Sequence, residues 1–186
     1  MSTALLGPQH PARRQFLRGW GLAPLATLGG ALPHPTAQAA PTPRSDEALA
    51  LWSLTLEQPD GRPLVLSRWR DRPLLVNFWA SWCGPCVREM PLLSGWAQAQ
   101  QGRVAVLGLA VDAPTPVREF LARRPVGFPI GLAGLQGTEL MRVLGNTRGG
   151  LPFSLLLNAQ GRIVRRKLGE LHENDLLAWQ LLASSS

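Results

Sequence analysis

NFWASWCGPCVREMP, residues 77 to 91, carries both cysteines of a chain of 186 residues. Just before and overlapping it, PLLVNFWA (73–80) is a continuous apolar run, the pattern of a strand buried on both faces. After it, Val87, Met90, Leu93, Trp96 and Ala97 recur at helical spacing. The cysteines therefore fall where a buried strand gives way to a helix. At a helix N-terminus the unpaired N–H groups and the macrodipole favour negative charge. Cys83 is thus expected to ionise more readily than a free thiol, from ~8.5 towards roughly 7. Gly84 permits a tight turn, and Pro85 suits a first helical position, where no N–H is required. Cys86, one turn on, is close enough to close a small ring with Cys83 and is expected to point inward.

Three other uses of two cysteines fit less well. A structural disulfide over so few residues closes a loop too small to constrain the unfolded chain much. A structural zinc site needs four ligands, and residues 40 to 186 offer two cysteines and one histidine, His172. Ordinary buried thiols have no reason to sit at a strand–helix junction flanked by tryptophans. A C-x-x-C pair near a β-α-β pattern points instead to a reversible dithiol, in which Cys83 attacks a partner disulfide and Cys86 resolves the mixed disulfide.

The compartment bears on that chemistry. Residues 1 to 39 hold three arginines (Arg13, Arg14, Arg18), no acid, a short apolar stretch from Gly19 to Leu32, and Ala37-Gln38-Ala39. A basic head, an apolar middle too short to span a bilayer and an A-x-A exit are the anatomy of an export signal. Arg13-Arg14-Gln15-Phe16-Leu17-Arg18 is similar to the twin-arginine export signal of bacteria, with Ala12 in place of the usual serine or threonine. A basic arm for nucleic acid would need neither the apolar block nor the exit site. Of the 19 basic side chains, 18 are arginine, and those beyond residue 39 are spread along the chain rather than gathered in a patch. The expected organisation is a signal over 1–39, a linker over 40–49 and one domain over 50–186, working in the periplasm without nucleic acid or a stable membrane span.

Within the domain, the alternation from Leu51 and the turn at Pro59-Asp60-Gly61 predict a β-hairpin with strands near 51–56 and 63–67. RVAVLGLAV (103–111) reads as a second buried strand and PTPVREFLARR (114–124) as a helix. FPIGLAG (128–134) holds a short edge strand, and TELMRVLG (138–145) a helical turn or two. LPFSLLLN (151–158) and RIVRRKL (162–168) form a hairpin, with Arg165 to Lys167 as a solvated edge. ENDLLAWQLLA (173–183) closes the domain as an amphipathic helix. This order predicts an α/β fold, a mixed sheet with helices on both faces.

Trp-Cys-Gly-Pro-Cys after Val-Asn-Phe-Trp-Ala-Ser resembles the thioredoxin fold. Arg88-Glu89-Met90-Pro91 and the N-terminal hairpin resemble, more narrowly, its TlpA/ResA-like branch of extracytoplasmic thiol–disulfide proteins. The resemblance covers nearly all of residues 50 to 183. It implies that Pro91 is the proline of the active-site helix and that Leu151-Pro152 is the cis-proline loop facing the cysteines, where main-chain groups can pair with an extended substrate. A proline that merely starts a strand is the other reading of Pro152. Trp82, Gly84 and Pro85, with Leu151 and Pro152, are then the surface that meets substrate. Asn77 stands where thioredoxins carry a buried aspartate, and it cannot titrate. The branch instead places a glutamate three residues after the second cysteine, here Glu89, as proton acceptor for Cys86. The other reading of Glu89 is a solvated side chain in an early helical turn. Trp79 suits core filling as well as the site, and His172 reads as a surface residue.

The resemblance implies an exported protein disulfide reductase without a cofactor, fed by a membrane-bound thiol reductase and acting on disulfide-bearing proteins such as apocytochrome c or copper-site proteins. A copper-carrying thioredoxin-fold chaperone is the alternative. Such chaperones place three residues between their cysteines and add a distal histidine. A thiol peroxidase would need threonine where Ala80 stands.

Overall fold

The computed structural model describes residues 46–184. The export signal expected over 1–39 and the first part of the linker lie outside them. The elements are α1 (Asp46–Trp52), β1 (Thr55–Glu57), β2 (Pro63–Val65), a 3-10 turn (Leu66–Trp69), β3 (Leu74–Trp79), α2 (Gly84–Gln100), β4 (Ala105–Ala110), α3 (Pro114–Arg123), β5 (Ile130–Leu132), α4 (Gln136–Val143), β6 (Phe153–Leu157), β7 (Ile163–Leu168) and α5 (Glu173–Ser184). One seven-stranded sheet runs in the order β2-β1-β5-β4-β3-β6-β7. β3 is parallel to β4 and antiparallel to β6, and β4 is parallel to β5. From β3 the chain winds one way through β4 and β5, then crosses back to place β6 on the other side. Sites in such sheets form outside the strands' carboxyl ends at that reversal, and the cysteines leave the carboxyl end of β3.

All six residues of β3 and of β4 are buried, because each of these strands is covered on both faces. On one face Leu74, Val76 and Phe78 pack with Ala48, Leu51 and Trp52 of α1 and Leu140 and Met141 of α4. On the other, Leu75 and Trp79 pack with α2, α3 and α5 through residues such as Met90, Leu93, Phe120 and Trp179. The strand's period of two thus sends alternate side chains into two separate cores.

Two expectations need correction. The chain is helical from Asp46 to Trp52, so part of the expected linker and the start of the expected first strand are α1. Ala48, Leu51 and Trp52 recur at i, i+3, i+4 and are all buried, a helical face that the apparent alternation after Leu51 hides. Second, β5 is interior, since β1 joins its free side at Glu57↔Leu132. Leu56 and Leu64 of the hairpin lie over Gly131, where a Cβ would come within 3.0 and 2.9 Å of their methyls. The described sheet ends instead at β2 and at β7, where Arg165, Arg166 and Lys167 sit.

Gly108 of β4 is another close approach. A Cβ there would lie 2.5 Å from Ile130 Cδ1, 3.1 Å from the Phe128 ring and 3.2 Å from Trp79 Nε1. The Ile130 methyl can rotate away, but two wedged rings cannot. Gly108→Ala is expected to destabilise the fold by roughly 1–3 kcal/mol, read as a lower urea midpoint with an unchanged slope.

Candidate active site

Cys83 is the N-cap residue of α2, with Gly84 and Pro85 in its first two positions. The Cys86 N–H donates to Cys83 Sγ at 3.3 Å, and the Val87 N–H donates to the Cys83 carbonyl at 3.0 Å. The two sulfurs are joined in a disulfide, with Cα atoms 5.3 Å apart. Cys86 is 0% exposed and Cys83 6%, so the sulfur an incoming group can reach belongs to Cys83. The helix end supplies both a dipole and an N–H directed at that sulfur, the arrangement that stabilises a thiolate.

The loop before Cys83 is fixed by a carboxylate that sequence reasoning missed. Asp112, at the end of β4, accepts from the Ser81 N–H at 2.9 Å and the Ser81 hydroxyl at 2.6 Å, and its other oxygen accepts from the Ala113 N–H. β3 and β4 are adjacent parallel strands, so their carboxyl ends meet; a separation of 31 residues gave no such signal. Beside this loop Trp82 is 70% exposed, whereas Trp79 is wholly buried against Phe120. Of the two tryptophans, Trp82 is the surface group and Trp79 belongs to the core.

Glu89 is neither solvated nor free. It is 1% exposed, one turn after Cys86 on α2. Its Oε1 accepts from Asn77 Nδ2 at 2.8 Å and its Oε2 from the Leu171 N–H at 2.6 Å. Burial pushes its pKa up to about 7, against the pull of those two donors. Glu170 raises it further and Lys167 lowers it. A carboxyl that titrates near neutrality, at the i+3 position from Cys86, can take a proton from a thiol and return it. Asn77 Nδ2 also lies 3.0 Å from Ser154 Oγ. Ser154 was not singled out in the sequence, since its place opposite Asn77 depends on the β3–β6 register.

The Leu151–Pro152 bond is cis, and Pro152 is buried. Leu151 packs, half-buried, against the cluster that holds both cysteines. The loop is held from below by buried Asn146, which donates to the Gly150 carbonyl at 2.8 Å and accepts from the Gly149 N–H at 3.0 Å. No hydrogen bond among the described residues engages the Leu151 main chain. Arg88 pairs with Glu170 at 2.7 Å, tying the first turns of α2 to the end of β7. His172 is exposed. Among the described residues no group of three or more His, Cys, Asp or Glu side chains is placed to hold a metal ion, and no helix is long and apolar enough to cross a membrane.

The Redoxin family model matches residues 35–178. The thiol-disulfide oxidoreductase ResA of Bacillus cereus is 26% identical over 119 residues, 63% of this chain and 66% of the relative. The chain thus spans just under two thirds of that relative's length. Among solved structures, the thioredoxin-related protein from Neisseria meningitidis serogroup B is 35% identical with a TM-score of 0.63, covering 72% of this chain and 100% of that one. StoA from Bacillus subtilis is 25% identical with a TM-score of 0.57, covering 68% and 95%.

Proposed function

The chain belongs to the Redoxin family, and we propose that it is an exported thiol–disulfide oxidoreductase that reduces disulfides of other exported proteins. The observation that carries this reading is the Cys83–Cys86 disulfide at the N-terminus of α2, with Cys83 6% exposed and Cys86 fully enclosed. The name and partial identity of the ResA relatives support it.

In the reduced protein, the Cys83 thiolate attacks a substrate disulfide. A Cys83–substrate S–S bond forms and one substrate sulfur leaves as a thiolate, which takes up a proton. Cys86 then yields its proton to Glu89 and attacks Cys83 Sγ. The Cys83–Cys86 bond forms, the second substrate sulfur leaves, and two electrons have passed to the substrate. Trp82, Gly84 and Pro85 flank the attacking sulfur. Leu151 and Pro152 offer an apolar seat, and Leu151 an unengaged main chain, to an extended segment, the geometry of strand addition; the Pro152 carbonyl is already taken by the Gly169 N–H. Closing the cycle requires a thiol donor, for which a membrane-bound reductase is the expected source, with the periplasm reached by the twin-arginine route. Apocytochrome c and copper-site proteins are the substrate classes proposed.

The direct test is stoichiometric. Reduced full-length protein, mixed with a peptide bearing one disulfide, should release two peptide thiols for each Cys83–Cys86 disulfide formed. Thiols that persist on the protein while the peptide stays oxidised would refute the activity. Copper retained by the reduced protein through desalting would favour the carrier instead.

A further inference from the structure

Asn77 on β3 faces Ser154 directly across the antiparallel β3–β6 pair, and both are 0% exposed. The amide is used one-sidedly. Nδ2 lies within hydrogen-bond reach of both Glu89 Oε1 and Ser154 Oγ, whereas buried Oδ1 has no donor among the described residues. Half a turn of the amide would exchange its two ends with little change of shape. Turned that way, Oδ1 could accept from a protonated Glu89 and from the Ser154 hydroxyl, but both N–H groups would leave Glu89 and Ser154 for the buried position where Oδ1 now has no partner among the described residues. An orphan N–H is rarer in folded proteins than an under-used carbonyl. The observed orientation is favoured because Ser154 takes the second N–H, which Glu89 alone does not satisfy.

We propose that Ser154 is a positioning residue for Glu89: it holds the donor end of Asn77 towards the Glu89 carboxylate and so lowers the pH at which Glu89 releases its proton. The importance of this for turnover rests on Glu89 as the proton acceptor for Cys86; the effect on Glu89 itself does not. Without the Ser154 hydroxyl the observed orientation also carries an orphan N–H, and its advantage shrinks. The amide is then freer to present Oδ1 to a neutral Glu89, which keeps its proton to higher pH. The other groups that face Glu89 are the Leu171 N–H, the charges of Glu170 and Lys167, Arg88 through its pair with Glu170, and Cys86 on the same helix. Of these, Lys167 stands opposite Ser154 on β7, and a Ser154 variant that keeps the hydroxyl controls for any change in that neighbour.

The test uses the full chain in its disulfide form, where neither cysteine titrates, with carbon-13 at the glutamate carboxyls. Glu89→Gln identifies the Glu89 resonance by its loss. Ser154→Ala should move the Glu89 midpoint up by about half to one pH unit, the size of one lost net hydrogen bond. Ser154→Thr, which keeps the hydroxyl, should leave it in place. In an Asn77→Ala background, Ser154→Ala should add nothing, because Ser154 acts through that amide. An unmoved midpoint in folded Ser154→Ala, or a full additional shift in the Asn77→Ala background, overturns the proposal. Should Ser154→Ala fail to fold, the wild type still decides: Asn77 side-chain amide signals should titrate with the Glu89 midpoint, and signals indifferent to it contradict the proposal. If Glu89→Gln leaves the pH dependence of thiol exchange unchanged, the role of Glu89 in turnover fails, while the Ser154 effect on its midpoint stands or falls separately.

Discussion

Cys83→Ser is expected to abolish exchange with peptide disulfides, by on the order of 10⁴-fold or more, because a serine hydroxyl cannot replace the thiolate as attacking group. Cys86→Ser should behave differently. Cys83 still attacks, but with no resolving sulfur the mixed disulfide persists, as a covalent adduct of protein plus peptide in non-reducing mass spectra. The asymmetry follows from burial: Cys83 is reachable and is the N-cap of α2, whereas Cys86 is enclosed by the core. Equal trapping by both variants would mean that either sulfur can meet substrate, and the assignment of roles would fail.

Glu89→Gln is the second large effect. The glutamine keeps the shape, but its single carbonyl oxygen can accept from only one of the Asn77 amide and the Leu171 N–H, and it cannot take up a proton. Resolution of the mixed disulfide by Cys86 should slow by on the order of 10²-fold near neutral pH, and the step in its rate near pH 7 should vanish. Stability should change in the opposite sense. The Glu89 pKa is raised in the folded state from an ordinary 4.5 to about 7. The folded state therefore binds more protons than the unfolded one between those values, and stability is fully present below the lower and lost as pH rises through the upper. Wild type should lose about 3 kcal/mol relative to Glu89→Gln between pH 4 and 8, at most. This is read from urea unfolding of the disulfide forms. A wild type whose difference from Glu89→Gln does not change with pH would mean that Glu89 titrates as an ordinary carboxyl.

Much of this was legible where one principle acted locally. The strand over 74–79 and the helix from Gly84 followed from an unbroken apolar run meeting helical spacing, and the cysteines' chemistry followed from their place at that junction. The N-terminal boundary was obscured because Leu51 and Trp52 satisfy both an alternating and a helical pattern, and Ala48 decides between them. The interior position of β5 depends on a hairpin strand 75 residues earlier joining its free side at Glu57↔Leu132. That is a tertiary choice with no local mark except Gly131, left small where two leucines cross it. At the site, Glu89 was visible on its helix. Its burial was not, since it depends on Leu171 and on Ser154 brought alongside Asn77 by the strand register.

The direction of electron flow rests on one number, the reduction potential of the Cys83–Cys86 pair. It can be measured on the full chain equilibrated in graded thiol buffers, with tryptophan fluorescence reporting the state of the pair beside Trp82. A value near roughly −270 mV or lower, in the range of thioredoxin, is expected of a reductant that relies on a dedicated donor. A value near roughly −120 mV would make the pair an oxidant and contradict reduction of exported disulfides as its function.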